Sequence, residues 1–319
     1  MILTVTLNTA LDRTVSVPSF RIGRRHRAVE SRLVAGGKGV NVARVLRTLG
    51  CPAVATGFLA GSVGHRIRGM LEDDGVISDF VEIEGESRIN LTVVDPTTGT
   101  HTEINERGPA VAERDISRLI DRLDYLAPGI RLCVLAGSLP PGADVSTYAL
   151  LLERLHGAGV PTLLDTDGEP LRLGLRAGPS IVAPNQTEAE EAVGHEFTDE
   201  TERASGLAEL VAMGAGEAIV TSGSGCVAVL ETDSGPVGFR AGTEPLEPVA
   251  RVGSGDAFLA GFAAARFAGR TPQECLARGV ACGAESTQHF GAGFVDPVEV
   301  ERIAGRVTVE PFEALARAA

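Results

Sequence analysis

The chain has 319 residues, of which 44% are hydrophobic and 22% charged, so it is long and apolar enough to fold around a buried core. Its net charge of −13 argues against general nucleic-acid binding, which requires a basic surface. Five scattered cysteines without a C-x-x-C spacing, and no run of the roughly 20 apolar residues that cross a membrane, predict a reduced cytoplasmic protein.

Strand-like and helix-like segments alternate from the first residues onward. Apolar runs typical of buried strands are predicted at Ile2–Leu7, Ala53–Phe58, Leu132–Ala136, Thr162–Asp165, Ser180–Ala183, Ala218–Thr221 and Cys226–Leu230. Helical spacing is predicted at Val40–Leu49, Val63–Asp74, Glu113–Leu126, Val145–His156, Gln186–Val193 and Glu202–Met213. This alternation predicts an α/β protein whose mostly parallel sheet is covered on both faces, and the first run has no basic leader typical of export.

Two segments interrupt this alternation. Strand-type patterns surround an Arg-rich turn between residues 14 and 34, and Pro96-Thr97-Thr98-Gly99 separates the strand-like runs Ile89–Asp95 and Thr100–Asn105. The Pro-Thr-Thr-Gly turn is a strong hairpin signal. These segments predict a small separate sheet, inserted at about residues 12–35 and 88–105 of one domain spanning 1–319, that could cover a binding site as a lid.

A glycine-rich turn, Ala35-Gly36-Gly37-Lys38-Gly39-Val40-Asn41, leads directly into the first predicted helix. Glycines let a ligand approach the backbone, and the free N–H groups of a helix start attract anions. Lys38 is the sole lysine among 29 basic residues and adds a point charge here. A glycine turn before a helix is often only a tight connection, so both interpretations stay open. Since glycine follows the lysine, the turn is not a Walker A loop.

The strongest candidate for catalysis is Gly253-Ser254-Gly255-Asp256, which precedes a helix that is apolar on almost every side. Asp256 could simply be the N-cap of that helix, since carboxylates are favoured at helix amino termini. The small residues before it indicate more, because Gly-Ser-Gly can present successive backbone N–H groups as an anion site. A base beside an anion site suits transfer of a phosphoryl group to a hydroxyl.

Two further motifs are weaker evidence for a function when each is taken by itself. Thr221-Ser222-Gly223-Ser224-Gly225 lies between two predicted strands and is either a hairpin turn or a loop around a nucleotide phosphate. In Pro184-Asn185-Gln186-Thr187-Glu188, Asn185 is a predicted N-cap with Glu188 in the capping-box position, and Glu188 could also hold water on Mg²⁺. Polar residues that could equally be surface residues lie at predicted strand ends, where α/β proteins bind ligands: Asn8, Asp12, Arg88 and Asn90.

Together these motifs resemble those of the PfkB (ribokinase-like) family of carbohydrate kinases. Residues 35–43 resemble its amino-terminal signature and residues 252–261 its carboxy-terminal one, and Gly137-Ser138-Leu139-Pro140-Pro141-Gly142 also fits, so the resemblance covers nearly the whole chain. Residues 6–12, 87–90 and 309–312 are similar to the branch with 1-phosphofructokinase and tagatose-6-phosphate kinase. The resemblance implies a three-layer α/β/α sandwich with a small β-sheet lid.

The resemblance also implies the reaction, which is ATP-dependent phosphorylation of a sugar phosphate. The first expectation is D-fructose 1-phosphate as acceptor and fructose 1,6-bisphosphate as product, with tagatose 6-phosphate and fructose 6-phosphate as alternatives. A catalytically silent sugar-phosphate sensor on this fold is a further alternative, whereas a dinucleotide-dependent oxidoreductase lacks G-x-G-x-x-G after the first strand. ATP and Mg²⁺ are the expected cofactors, and a homodimer through the lid is an expected assembly, without nucleic-acid or membrane partners.

By the same resemblance, Asp256 is the base, and the amides of Gly253, Ser254 and Gly255 stabilise the transferred group. The residues implied in sugar-phosphate binding are Asp12, Gly37, Lys38, Asn41, Arg88, Asn90, Arg24 and Ser138, with the cationic ones holding the phosphate already present. Those implied in nucleotide binding are Asn185, Thr221, Ser222, Gly223, Gly225 and Arg251, with Glu188 reaching Mg²⁺ through water. The chain departs from the family pattern at Thr9, Ala183 and Ala250-Arg251, and Arg251 could compensate by reaching an ATP phosphate.

Overall fold

A computed structural model describes residues 1–223, 225–250 and 252–312. The strands are β1 Ile2–Thr6, β2 Ala10–Ser16, β3 Glu30–Gly36, β4 Ala53–Ala60, β5 Ile77–Ser78, β6 Val81–Ile83, β7 Arg88–Asp95, β8 Thr100–Ile104, β9 Leu132–Ala136, β10 Thr162–Asp165, β11 Ile181–Val182, β12 Glu217–Ser222, β13 Gly225–Thr232, β14 Gly235–Gly242 and β15 Thr308–Phe312. The helices are α1 Lys38–Thr48, α2 Gly61–Asp73, α3 Glu113–Leu126, α4 Thr147–Gly157, α5 Gly168–Arg176, α6 Gln186–Val193, α7 Glu200–Ala212, α8 Ser254–Phe267, α9 Pro272–Ser286 and α10 Pro297–Ala304. Every predicted strand and helix is present, with small shifts at the ends.

The large sheet has the strand order β15-β14-β13-β12-β11-β10-β9-β1-β4-β5, and β6 also pairs with β4. The pairs from β12 through β1 to β5 are parallel, whereas β12, β13, β14 and β15 pair antiparallel. β1 and β9 are buried over their whole length, which explains why they occur as continuous apolar runs. The predicted mostly parallel sheet is therefore confirmed.

Helices cover both faces of this sheet. Apolar side chains of α1, α8, α9 and α10 form one core with it, and those of α3 to α7 form the other. The helix α8 is buried from Asp256 to Ala265, as its apolar sequence predicts. These contacts give the three-layer α/β/α architecture. Within the described ranges, no helix combines the length and the apolar composition that crossing a membrane requires.

A second, four-stranded sheet has the order β3-β2-β7-β8 and is called here the small sheet. β7 and β8 form the predicted hairpin, with Asp95 opposite Thr100. The inserted segments therefore do form a sheet of their own, and it packs through Leu11 and Ala35 against apolar residues of α1 and α2. Its role as a lid, and a homodimer through it, stay predictions.

Candidate active site

One cavity of about 880 Å³ lies where the carboxyl ends of the parallel strands meet the small sheet and the amino ends of α1 and α8. Ligand sites of α/β proteins lie at this end of the sheet. The cavity brings together most of the predicted site residues: Asp12, Gly37, Lys38, Asn41, Arg88, Asn90, Asn185, Glu188, Thr221, Ser222, Gly223, Gly253, Ser254, Gly255 and Asp256. Residues from both halves of the sequence thus converge on one space.

The backbone before Asp256 has a conformation that glycine permits. Gly253 is the N-cap residue of α8, with a φ of 80°, and a Cβ there would lie 2.5 Å from Cβ of Ala292. A side chain at this position would be both strained and crowded. The helix then begins at Ser254, and Ser254 and Gly255, whose amides have no partner within the helix, line the cavity beside Asp256. This arrangement is suited to holding an anion.

Asp256 is not the N-cap of α8, so that interpretation is wrong. It is the third residue of the helix, and its Oδ2 accepts a hydrogen bond of 2.8 Å from Nδ2 of Asn41. Burial raises the pKa of Asp256 to about 7, although the charge of Lys38 and the hydrogen bond from Asn41 act in the opposite direction. A carboxylate whose pKa lies near neutral pH is well matched to accepting a proton from a hydroxyl.

Lys38 links two acidic residues beside this carboxylate. Its Nζ lies 3.0 Å from Oδ1 of Asp165 and 3.3 Å from Oε1 of Glu188. Burial by itself lowers the pKa of Lys38, but the charges of Asp165, Glu188 and Asp256 outweigh burial and raise it above its usual value. The ammonium group therefore stays charged in the cavity, where it offsets the three carboxylates.

The predicted capping box at the start of α6 is confirmed. Oδ1 of Asn185 accepts from the amide of Glu188 at 2.9 Å, and Oε2 of Glu188 accepts from the amide of Asn185 at 2.9 Å. The other oxygen of Glu188 faces Lys38. The capping box thus fixes the rotamer that points this carboxylate into the cavity, so structural and functional interpretations are compatible.

Polar side chains of the small sheet form the opposite wall. Oδ1 of Asp12 accepts from Nδ2 of Asn90 at 2.9 Å, and burial raises the pKa of Asp12 while Asn90 and Arg88 hold it down. The carboxylate lies against Gly36, where a Cβ would come within 1.9 Å of its Oδ2. Only glycine leaves room for Asp12 at this place, which explains the first glycine of the turn.

Arg88 enters the cavity from the first residue of β7. Its Nε donates to the carbonyl of Asn8 at 3.2 Å, and its Nη1 donates to the carbonyl of Glu106 at 3.2 Å. Nδ2 of Asn8 in turn donates to the carbonyl of Arg107 at 3.1 Å. These bonds hold the guanidinium between two loops and leave its Nη2 side for a ligand. Asn8 therefore acts as a support for Arg88.

The loop after β12 lies at the far end of the cavity. Ser222 pairs with Gly225 in the β12–β13 hairpin, so the motif is a hairpin turn, and Thr221, Ser222 and Gly223 of this motif also line the cavity. Gly225 lines an adjoining cavity of about 190 Å³ together with Leu246, Phe258 and Ala284. A narrow, partly apolar space beside Ser254 and Gly255 has the character that a nucleotide base requires.

Besides Gly225, two predicted site residues do not line the cavity of about 880 Å³. Arg24 is exposed in the turn between β2 and β3 and does not line the cavity. Ser138 does not line the cavity either. Its Oγ lies 3.5 Å from Nδ2 of Asn8, so Ser138 reaches the site through Asn8. Arg251 lies outside the described residues. The proposed phosphate contact of Arg24 would therefore require the turn to move.

Several residues that line the cavity are not among the predicted site residues: Thr92, Glu103, Asn105, Asp165, Gln186, Thr187, Val252 and Leu259. Asp165 is the most important, because it is the partner of Lys38. A signal for it existed, since it is a carboxylate at the carboxyl end of a buried parallel strand. The residues of β8 carry no such signal, because an edge strand with exposed polar residues is typical of any surface.

Comparisons with known proteins agree with this geometry. Residues 7–299 match the model of the pfkB family of carbohydrate kinases. The chain belongs to this family. It is 33% identical over 283 residues to the 1-phosphofructokinase of Borreliella burgdorferi, covering 89% of this chain and 90% of the relative. It is 31% identical over 310 residues to the 1-phosphofructokinase of Bacillus subtilis, covering 95% of this chain and 100% of the relative.

A solved structure shows the same relationship at the level of the fold. It is a possible 1-phosphofructokinase from Thermotoga maritima, with a TM-score of 0.88 and 26% identity, covering 98% of this chain and 100% of that one. The pfkB family consists of carbohydrate kinases, so this chain is a phosphotransferase with an alcohol group as acceptor and ATP as the phosphoryl donor. The predicted family and fold class are therefore confirmed.

Proposed function

We propose that this pfkB-family kinase transfers the γ-phosphoryl group of ATP to the 6-hydroxyl of D-fructose 1-phosphate, giving ADP and fructose 1,6-bisphosphate. The observation that carries the proposal is the position of two cations, Lys38 and Arg88, in the same cavity as Asp256. A kinase for an unphosphorylated sugar would have no need of both cations. The 1-phosphofructokinases among the relatives support the same acceptor.

The residues of the cavity have complementary roles in this reaction. Asp256 takes the proton of the acceptor hydroxyl as the new oxygen–phosphorus bond forms and the bond to ADP breaks. The amides that follow Gly253 stabilise the negative charge that develops on the phosphoryl group during its transfer. Asp12 and Asn41 orient the sugar hydroxyls, and Arg88 holds the phosphate already on the sugar.

Two carboxylates beside Lys38 fit a magnesium ion. Asp165 and Glu188 both lie close to Nζ of Lys38, which supports the proposal that these carboxylates attract a cation. Mg²⁺ is usually held by one or two carboxylates together with phosphate oxygens and waters. Glu188, through water, and Asp165 would hold it. When bound, the ion neutralises charge on the β- and γ-phosphates.

Kinetics with three sugar phosphates in one coupled ADP-release assay test the acceptor. We expect the highest kcat/KM with fructose 1-phosphate and a much lower one with fructose 6-phosphate and tagatose 6-phosphate. A higher kcat/KM with either alternative would show that the protein prefers another phosphosugar. Binding of the sugars without ADP release would instead support the silent sensor, although a sensor has no need of the base Asp256.

A further inference from the structure

Glu103 on β8 lines the same cavity as Asp256 and has no role in the reaction as described so far. In the small sheet, Thr92 lies opposite Glu103, and Asn90 lies opposite Asp12. Successive side chains of a strand point to opposite faces, so Glu103 shares the cavity face with these residues, whereas Ile104 lies on the outer face. The small sheet thus presents a second carboxylate to the cavity.

Two hydrogen-bond acceptors in the cavity that Glu103 lines have no donor among the described residues. Oδ1 of Asn41 and Oδ1 of Asn90 are buried without a partner, although both residues line the cavity. Asn41 itself is only 4% exposed. Buried acceptors are rarely left without a donor in a functional state, so these atoms indicate a ligand that brings several donors. Sugar hydroxyl groups are such donors, and they are also what a carboxylate binds well.

Within the part of the chain that the structure describes, the side chain of Glu103 makes one long ion pair and accepts no hydrogen bond. In this ion pair, Nε2 of His101 lies 3.9 Å from Oε1, beyond hydrogen-bond distance, so Glu103 can still accept from a ligand. The side chain of Glu103 is 40% exposed, as expected for a residue on the side of a cavity that is open to solvent. The simpler interpretation is that Glu103 only protects an edge strand from pairing with another chain. That interpretation does not explain its position on the cavity face.

We propose that Glu103 hydrogen-bonds a hydroxyl group of the bound sugar phosphate and is a specificity-determining residue of the small sheet. The inference rests on the proposed function, since it assumes that a sugar phosphate occupies this cavity. The phosphate of that sugar binds the cations Lys38 and Arg88, whereas Glu103 accepts from a neutral hydroxyl. Closure of the small sheet over the sugar would then bring Glu103 and Asp12 onto the same ligand.

Substitution of Glu103 by alanine tests this role. We expect E103A to raise KM for fructose 1-phosphate about tenfold, the lower end of the loss for a hydrogen bond to a charged group. E103Q, which keeps an acceptor oxygen, should lie between E103A and the wild type, and kcat and KM for ATP should change less than about threefold. The matched control is E30A, because Glu30 is exposed on β3, the other edge of the small sheet, and does not line the cavity.

Deoxy analogues of fructose 1-phosphate identify the contact directly. For the wild type, removal of the hydroxyl that Glu103 binds should raise KM about tenfold. In E103A, KM for the same analogue should be almost equal to KM for fructose 1-phosphate. A merely structural role of Glu103 would not produce this coupling. Calorimetric titration with the same analogues measures it without turnover, and thermal unfolding of E103A and E30A should match the wild type, since both positions are exposed.

The outcomes separate this inference from the proposed function. If the wild type phosphorylates fructose 1-phosphate and E103A does so with an unchanged KM, Glu103 only protects the edge strand and the inference is wrong. An equal rise of KM for ATP would also overturn it, because Glu103 would then affect the cavity as a whole. If the wild type prefers another sugar phosphate, the same comparison applies to that sugar. If the wild type phosphorylates none of the three sugar phosphates, the proposed function and the role of Glu103 fail together.

Discussion

Asp256→Asn is expected to lower kcat by at least roughly 10²–10⁴-fold, with little change in KM for either substrate. The two side chains have the same shape, and the amide oxygen can still accept from Nδ2 of Asn41. What is lost is the ability to accept a proton from the acceptor hydroxyl. Initial rates of ADP release at saturating ATP and sugar phosphate measure the change.

A second aspartate provides the control for this substitution. Asp296 is the N-cap of α10, where its side chain accepts from the amides of Val298 and Glu299, and it does not line the cavity. Asparagine caps helices about as well as aspartate, so D296N should keep wild-type turnover. Near-normal turnover of D256N would exclude Asp256 as the base and leave it only a structural role at the start of α8.

The pH dependence of the wild type belongs to the same test. Because burial raises the pKa of Asp256 to about 7, the carboxylate is protonated and inactive below that pH. We therefore expect kcat/KM to rise with pH and to level off above about pH 7. This rise is the acid limb of the pH profile, and we expect D256N to lack it. A limb that persists in D256N would belong to another group.

Lys38→Met should raise KM for the sugar phosphate about 10- to 100-fold, the loss expected for one hydrogen bond to a charged group. Methionine has a similar length but leaves Asp165 and Glu188 without the ammonium group that lies 3.0 and 3.3 Å from their oxygens. The charge of Lys38 also holds down the pKa of Asp256. The acid limb of kcat/KM should therefore move to higher pH in K38M, so part of the lost activity should return in alkaline buffer.

Lys38→Arg is the matched variant, because arginine keeps the charge and changes the shape. In K38R the acid limb should stay near that of the wild type, even where KM increases. Thermal unfolding of both variants separates a loss of folding from a loss of binding, since removing one partner of a buried ion pair destabilises proteins. If K38M changes KM for ATP alone, the assignment of sugar and nucleotide phosphates to the two sides of the cavity is reversed.

The sequence predicts the glycine turns of the site better than the contacts between distant residues. The turn at Gly37 and the turn at Gly253 both carry a glycine with a positive φ, of 99° and 80°, directly before a helix. Such local signals survive in a single sequence because the backbone itself requires glycine. The pairing of Lys38 with Asp165 joins residues 127 positions apart, and no local pattern records it.

Some elements escaped prediction because tertiary contacts override local preference. The helix α9 contains Gly279 and several small residues that disfavour a helix in isolation. In the fold, Gly279 lets α9 approach α8 closely, since a Cβ at this position would lie 3.0 Å from a ring carbon of Phe258 on α8. The strand β14 is similarly rich in glycine, and it forms because β13 and β15 flank it.

The proposed reaction is tested most directly by identifying its product. Phosphorus NMR of a mixture of enzyme, Mg²⁺, ATP and fructose 1-phosphate should show ADP and one equivalent of fructose 1,6-bisphosphate, with phosphomonoester signals at both carbon 1 and carbon 6. The same mixture with D256N should contain almost none of the bisphosphate. ADP accompanied by inorganic phosphate and unchanged fructose 1-phosphate would contradict the account, because the phosphoryl group would then have passed to water and not to the sugar.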